Sequence, residues 1–185
     1  GQMIATRPGE FRLIADLEEI GVRLLEDDRF IASHFEFEEW ASGRKQLRME
    51  YFYRQMRRNT GLLMDGDKPE GGRWNFDHDN RKPPAKGMEF PERLRTQPDD
   101  VTRAVIDLVA REFPDNFGTL EPFWFATDAD GAHACLSGFL NHCLPIFGDY
   151  QDAMLADQKF LYHGLISFYL NIGLLDPLDV CRQAE

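Results

Sequence analysis

Ser167 is the single small hydroxyl in an apolar run whose periodicity predicts a helix over residues 161–172. A helix start presents unpaired N–H groups and a positive dipole end, and a hydroxyl there adds one more donor to a phosphate oxygen. The competing use of such a hydroxyl is a bond back to the carbonyl four residues earlier. Other reactive groups form weaker patterns. Asp65, Asp67, Asp77, His78 and Asp79 invite a divalent cation, but a calcium loop opening at Asp65 would have Pro69 at position 5 and Phe76 at position 12. Cys135 and Cys143 are eight residues apart on one predicted helix, about 12 Å along its axis and too far for one ion. Gly-x-Ser-x-Gly, His-Glu-x-x-His, Walker and Cys-x-x-Cys patterns are absent. His34, His78, His133 and His142 have no partner at useful spacing, and His142 and Cys143, adjacent on a helix, do not face each other.

Charge is unevenly distributed. The chain carries −11 overall, but residues 44–95 are net +5 while residues 1–43 are −6 and residues 96–185 are −10. A basic island between acidic flanks can tolerate a phosphate backbone, although local ion pairing explains it as readily. With 43% hydrophobic residues and no apolar run near 18 residues, no membrane span is expected. Three widely spaced cysteines and an N-terminus without signal-peptide character point to free thiols in a reducing cytoplasm.

Several elements would position these groups. Met3–Thr6 reads as a strand, Glu10–Ile20 as an amphipathic helix stopped by Gly21, and Val22–Leu25 as a second strand. Strand, helix and strand at that spacing imply a parallel sheet, which one such unit cannot complete. From Arg44 to Asn59 the pattern is helical, with Met49, Phe52, Tyr53 and Met56 on one side and Arg44, Arg48, Arg54, Arg57 and Arg58 across from them. Such arginines either face nucleic acid or, more commonly, pair with acidic neighbours or hold an interface. Residues 61–84 lack periodicity, and Trp74 and Phe76 are the anchors expected to order them. A Pro- and charge-rich connector, residues 84–98, leads to an all-helical remainder. Helices are expected after the caps Asp99, Asp128 and Asp176, with Val105, Leu108 and Val109 facing the core and the Asp128 helix running to about Phe147.

Two stretches resemble a known family. The run Arg44–Pro83, with Met-Glu-Tyr-Phe-Tyr-Arg-Gln-Met-Arg-Arg, Gly-Leu-Leu-Met and Trp74-Asn75-Phe76-Asp77…Asn80-Arg81-Lys82-Pro83, resembles the deoxyribodipyrimidine photolyase-related family of iron–sulfur bacterial cryptochromes and photolyases. The run His163–Leu170 is similar to the segment that wraps the FAD pyrophosphate in photolyases and cryptochromes. The resemblance covers nearly the whole chain and matches an internal fragment of such a protein. It departs at Gly164, where relatives usually have serine, and at Leu165, where the wider family often has arginine.

The resemblance implies a mostly α fold with a short α/β remnant. Residues 1–35 would end a Rossmann-like antenna domain, 36–98 would be a helix and irregular basic linker, and 99–185 would be the first helices of a photolyase-type FAD domain. It implies a partial FAD site at Ser167, His163, Ile166, Leu165 and Gly164, with Tyr150 near a phosphate-contacting position, and DNA phosphate contacts at Arg81, Lys82 and Lys86. A 6,7-dimethyl-8-ribityllumazine antenna and a [4Fe–4S] cluster would be held by residues outside this chain. The implied activity of the full-length monomer is light-driven electron transfer into UV photoproducts flipped out of DNA. A light-signalling cryptochrome, or a folding unit inactive by itself, stays open as an alternative.

Overall fold

The computed structural model describes residues 1–185 and is mostly helical, with eight α-helices and two two-stranded sheets. It divides into two compact units: residues 1–74 with the C-terminal helix, and residues 75–175.

The first unit opens with the expected parallel pair. Strand β1 (Ile4–Thr6) and strand β2 (Arg23–Leu25) pair with Ile4 opposite Arg23, joined by α1 (Phe11–Glu19). Glu10 caps α1 by accepting the Leu13 N–H at 2.7 Å, and Gly21, at φ 78°, makes the turn after it. Parallel strands ordinarily lie covered on both faces. Here Phe11 is 83% exposed, and Met3, Ile4 and Ile20 are each more than half exposed.

Helix α2 (His34–Ala41) escaped the sequence reading, although Ser33-x-x-Glu36 spells a capping box, which the structure forms in both directions. Phe37 and Trp40 of α2 meet Phe52 of α3 (Met49–Thr60) with ring centroids 5.2 and 5.0 Å apart. The expected apolar side of α3 is only partly covered: Phe52 and Met56 are half-buried, but Met49 and Tyr53 are exposed. Gly61 ends α3 in the left-handed conformation.

The stretch expected to be irregular contains a tight hairpin of β3 (Met64–Asp65) and β4 (Lys68–Pro69), followed by a 3₁₀ turn at Glu70–Gly72. Its two-residue connection, Gly66-Asp67, is a known hairpin signature, and Gly66 at φ 57° supplies the conformation it needs. Arg57, 6% exposed, fastens the hairpin to α3 by donating to the Leu62 and Leu63 carbonyls. Leu63, itself at positive φ, is held further by its N–H to Glu185 Oε1 at 2.6 Å and by accepting the Glu70 N–H at 2.8 Å. Helix α8 (Pro177–Ala184) follows its Asp176 cap as expected.

The second unit holds the apolar core: Ala126, Ala132, Leu136, Cys143, Leu161, Tyr162, Tyr169 and Leu175 are all at most 6% exposed. Helix α4 (Asp100–Glu112) starts at its Asp99 cap, but Val105 and Leu108 are 50% and 45% exposed, against the expectation that they face the core. Only Ile106 and Val109 on that helix are half-buried among its apolar residues. Helix α5 (Ala129–His142) and α6 (Leu144–Tyr150) replace the single helix expected to about Phe147. Pro145 lacks the N–H a continuing helix requires, so it begins a new one. The expected helix over 161–172 contracts to α7 (Ser167–Asn171), because Leu161 and Leu165 adopt φ 44° and 54°, outside helical space. No helix is long and apolar enough to cross a membrane.

Candidate functional site

Within the second unit, α5, residues 92–94 and 124–125, and Gly164, Leu165 and Tyr169 line a recess of about 290 Å³. Trp124, Phe125, Phe139 and Tyr169 supply aromatic walls, and Arg93, Cys135 and His142 supply polar groups. Gly164 and Leu165 form part of its rim. The segment leading to them is held by Arg93, which sequence reading passed over as one more charge in the connector. Its guanidinium donates to the Leu161 carbonyl at 2.7 Å and to the Phe160 carbonyl at 3.4 Å, and lies 2.6 Å from Cys143 Sγ. Its Nε is buried without a partner. No sequence signal marks it, since its role depends on chain brought in from about 70 residues away.

Tyr169 forms the floor. Its hydroxyl accepts the Ala126 N–H at 3.1 Å and meets Cys135 Sγ at 3.3 Å. Burial, followed by the Cys135 thiol, pushes the phenol up to about 12. Gly164 fits closely: a β-carbon there would stand 3.4 Å from three ring carbons of Phe139, an ordinary contact distance.

The structure separates the predicted cofactor residues. Gly164 and Leu165 border the recess, whereas Ser167, His163, Ile166 and Tyr150 do not line it. Ser167 is the first residue of α7 and is exposed, its carbonyl accepting from Asn171 Nδ2 at 3.0 Å. With no helical turn before it, the back-bond to residue 163 is not formed. His163 is exposed and packs edge-on to Phe147, 5.3 Å between centroids. Tyr150 stacks at a tilt on Tyr162, 5.9 Å away, whose hydroxyl donates to the Glu89 carbonyl. Of the predicted cofactor run, only Gly164 and Leu165, the latter at φ 54°, therefore reach the recess.

The predicted phosphate contacts are already partnered in two cases. Arg81 Nε lies 3.2 Å from Asp152 Oδ2, and Lys82 Nζ lies 2.7 Å from Asp149 Oδ2. Asp149 raises the Lys82 ammonium above its ordinary range. Backbone bonds from Lys82 N to the Asp149 carbonyl and from Asp152 N to the Asn80 carbonyl reinforce the strap. Lys86 is exposed. The helix arginines follow the pairing alternative in part: Arg54 forms an ion pair with Glu50, while Arg54, Arg57 and Arg58 all stand over the Trp74 ring, at 5.3, 5.3 and 4.8 Å. Trp74 is thus the anchor it was expected to be, whereas Phe76 stays about half exposed.

A mostly helical protein with an aromatic-walled recess, preceded by a small parallel βαβ unit, is the class these features define. The chain belongs to the deoxyribodipyrimidine photo-lyase-related protein family, whose model matches residues 1–125. It is 50% identical over 190 residues to a (6-4) photolyase of Agrobacterium fabrum, a match that covers all of this chain. The chain spans 38% of that relative's length.

Proposed function

We propose that these residues are part of a longer blue-light flavoprotein that repairs UV pyrimidine photoproducts in DNA, with 1–35 ending a Rossmann-like antenna domain, 36–98 linking, and 99–185 beginning the FAD domain. The observation that carries this reading is the Gly164–Leu165 rim beside the aromatic recess, within a chain half identical to a (6-4) photolyase. The uncovered apolar residues of β1, α1 and β2 agree with a sheet continued by further strands.

The fit to FAD is partial. A recess of about 290 Å³ sits at the lower end of ligand pockets and suits a portion of a dinucleotide, not the whole. Gly164, Leu165 and Ile166 would contribute backbone N–H groups, and Ser167 and His163, both exposed, would close on the pyrophosphate from the α7 side. Arg93 would hold the 160–161 backbone so that this rim keeps its shape, and Tyr150 would support Tyr162 behind it. When bound, reduced FAD supplies the excited electron for lesion reversal. A lumazine antenna and a [4Fe–4S] cluster would be held by residues outside this chain. Lys86 is the readiest of the three proposed DNA contacts, because Arg81 and Lys82 must exchange a carboxylate for a phosphate. The proposed location is the cytoplasm and the proposed state a monomer.

The test is a light-dependent repair assay on the full-length protein with duplexes carrying a defined photoproduct. Loss of the lesion under blue light and not in darkness is expected. A flavin-loaded protein that leaves the lesion intact would favour the signalling alternative.

A further inference from the structure

Arg58 differs from Arg54 and Arg57, the other two arginines that stand over Trp74. Arg54 is engaged by Glu50, and Arg57 is buried and committed to the Leu62 and Leu63 carbonyls. Arg58 is exposed, and its guanidinium carbon stands over the Trp74 ring, 4.8 Å from the centroid. A guanidinium placed over a ring in this way uses its charge on the π-system and still carries N–H donors for a further partner. Those donors match two oxygens of one phosphate, and a guanidinium already confined by a ring loses less freedom when it binds.

The surroundings favour an anion there. Three guanidinium carbons lie within 5.3 Å of a single ring, with one carboxylate, Glu50, paired among them. Like charges gathered this closely repel, and an incoming anion relieves the repulsion. The cluster also lies in the stretch that carries net +5 in an otherwise acidic chain. We propose that Arg58, laid on Trp74, is a phosphate-gripping contact for the backbone of duplex DNA on the exposed side of α3. This rests on the DNA-repair reading and adds to it a residue beyond Arg81, Lys82 and Lys86.

The experiment is fluorescence anisotropy of an undamaged duplex titrated with the full-length protein across a salt series. Arg58→Gln should lower the log–log salt slope by about 0.9, the value for one lost phosphate contact on duplex DNA. Arg58→Lys keeps the charge without the fork and should weaken binding while preserving the slope. Because Arg58 is exposed, circular dichroism should match the parent in both variants. An unchanged slope and affinity in Arg58→Gln overturns the inference, and if Lys86→Gln still lowers the slope the DNA reading survives it. Failure of the parent to bind duplex removes the DNA reading and this contact together. Displacement by polyglutamate as effective per charge as by DNA would assign the surface to an acidic protein instead, and also overturns it.

Discussion

Gly164, where the resemblance leads one to expect serine, sits in a backbone that can accept one. Its φ lies outside the left-handed range that would exclude other residues, and a β-carbon there would just touch the Phe139 ring. Gly164→Ser should therefore fold normally and place a hydroxyl at the rim of the recess. Full-length protein carrying it should retain flavin through dialysis better than the parent, by roughly 1 kcal/mol for one added hydrogen bond. Equal or poorer retention would detach this position from the cofactor. Tyr169 makes a second prediction. Its hydroxyl is held well above an ordinary phenol by burial and by Cys135, so it favours the folded state while protonated. A raised folded pKa contributes in full below the unfolded value near 10 and is lost as pH climbs from about 10 to 12. Urea midpoints should hold up to about pH 10 and then fall, and Tyr169→Phe should flatten that alkaline fall. The phenol was not legible in sequence, since its partners Ala126 and Cys135 are more than 30 residues away. Ser167 was legible as a hydroxyl in an apolar run, but its place at a helix start arises from the backbone at Leu165, which residue type does not announce.

At the scale of elements, local signals worked where capping chemistry stood alone. Asp99, Asp128 and Asp176 each accept an N–H three residues on at 2.7 Å, as their types predict. Periodicity failed where chain breaks lay inside apolar runs: at Pro145, which divides α5 from α6, and at Leu161 and Leu165, which delay α7. It also misjudged the exposed residues of α4, because a stripe of Val and Leu says that a face is apolar and not that anything covers it. The α5 start offers a sharp test. Gly131 sits in its first turn, where an added β-carbon would come 2.6 Å from the β-carbon of Ala126, itself 2% exposed. Ordinarily Gly→Ala in a helix stabilises by up to about 1 kcal/mol. Here overpacking should win, and Gly131→Ala should destabilise by about 1–3 kcal/mol in chemical denaturation. It should also disturb the Ala126–Tyr169 bond, visible as a shifted alkaline transition. A stabilised variant would show that residues 126–131 relax freely.

For the molecule as a whole, the contrast between its parts bears on what it can do by itself. Residues 75–175 gather a buried core, while the small parallel sheet of the first unit leaves Met3, Ile4, Phe11 and Ile20 largely open. Family membership was legible because combined motifs such as the arginine helix and the Trp74–Pro83 run are specific in sequence. The recess was not, because Arg93, Phe139 and Gly164 meet only in three dimensions. The recess also limits binding. FAD joins a flavin ring, a pyrophosphate and an adenosine, and a space of about 290 Å³ encloses only part of it. Affinity grows with the ligand surface removed from water and the number of groups fixed, so a partial site forfeits most of it. Titrating the 185-residue chain with FAD should give no stoichiometric complex by flavin fluorescence quenching or calorimetry, whereas the full-length protein should bind it. A complex of micromolar affinity or better in the short chain would mean that the recess opens well beyond its present walls, and would relocate the rest of the cofactor site onto α5 and α7.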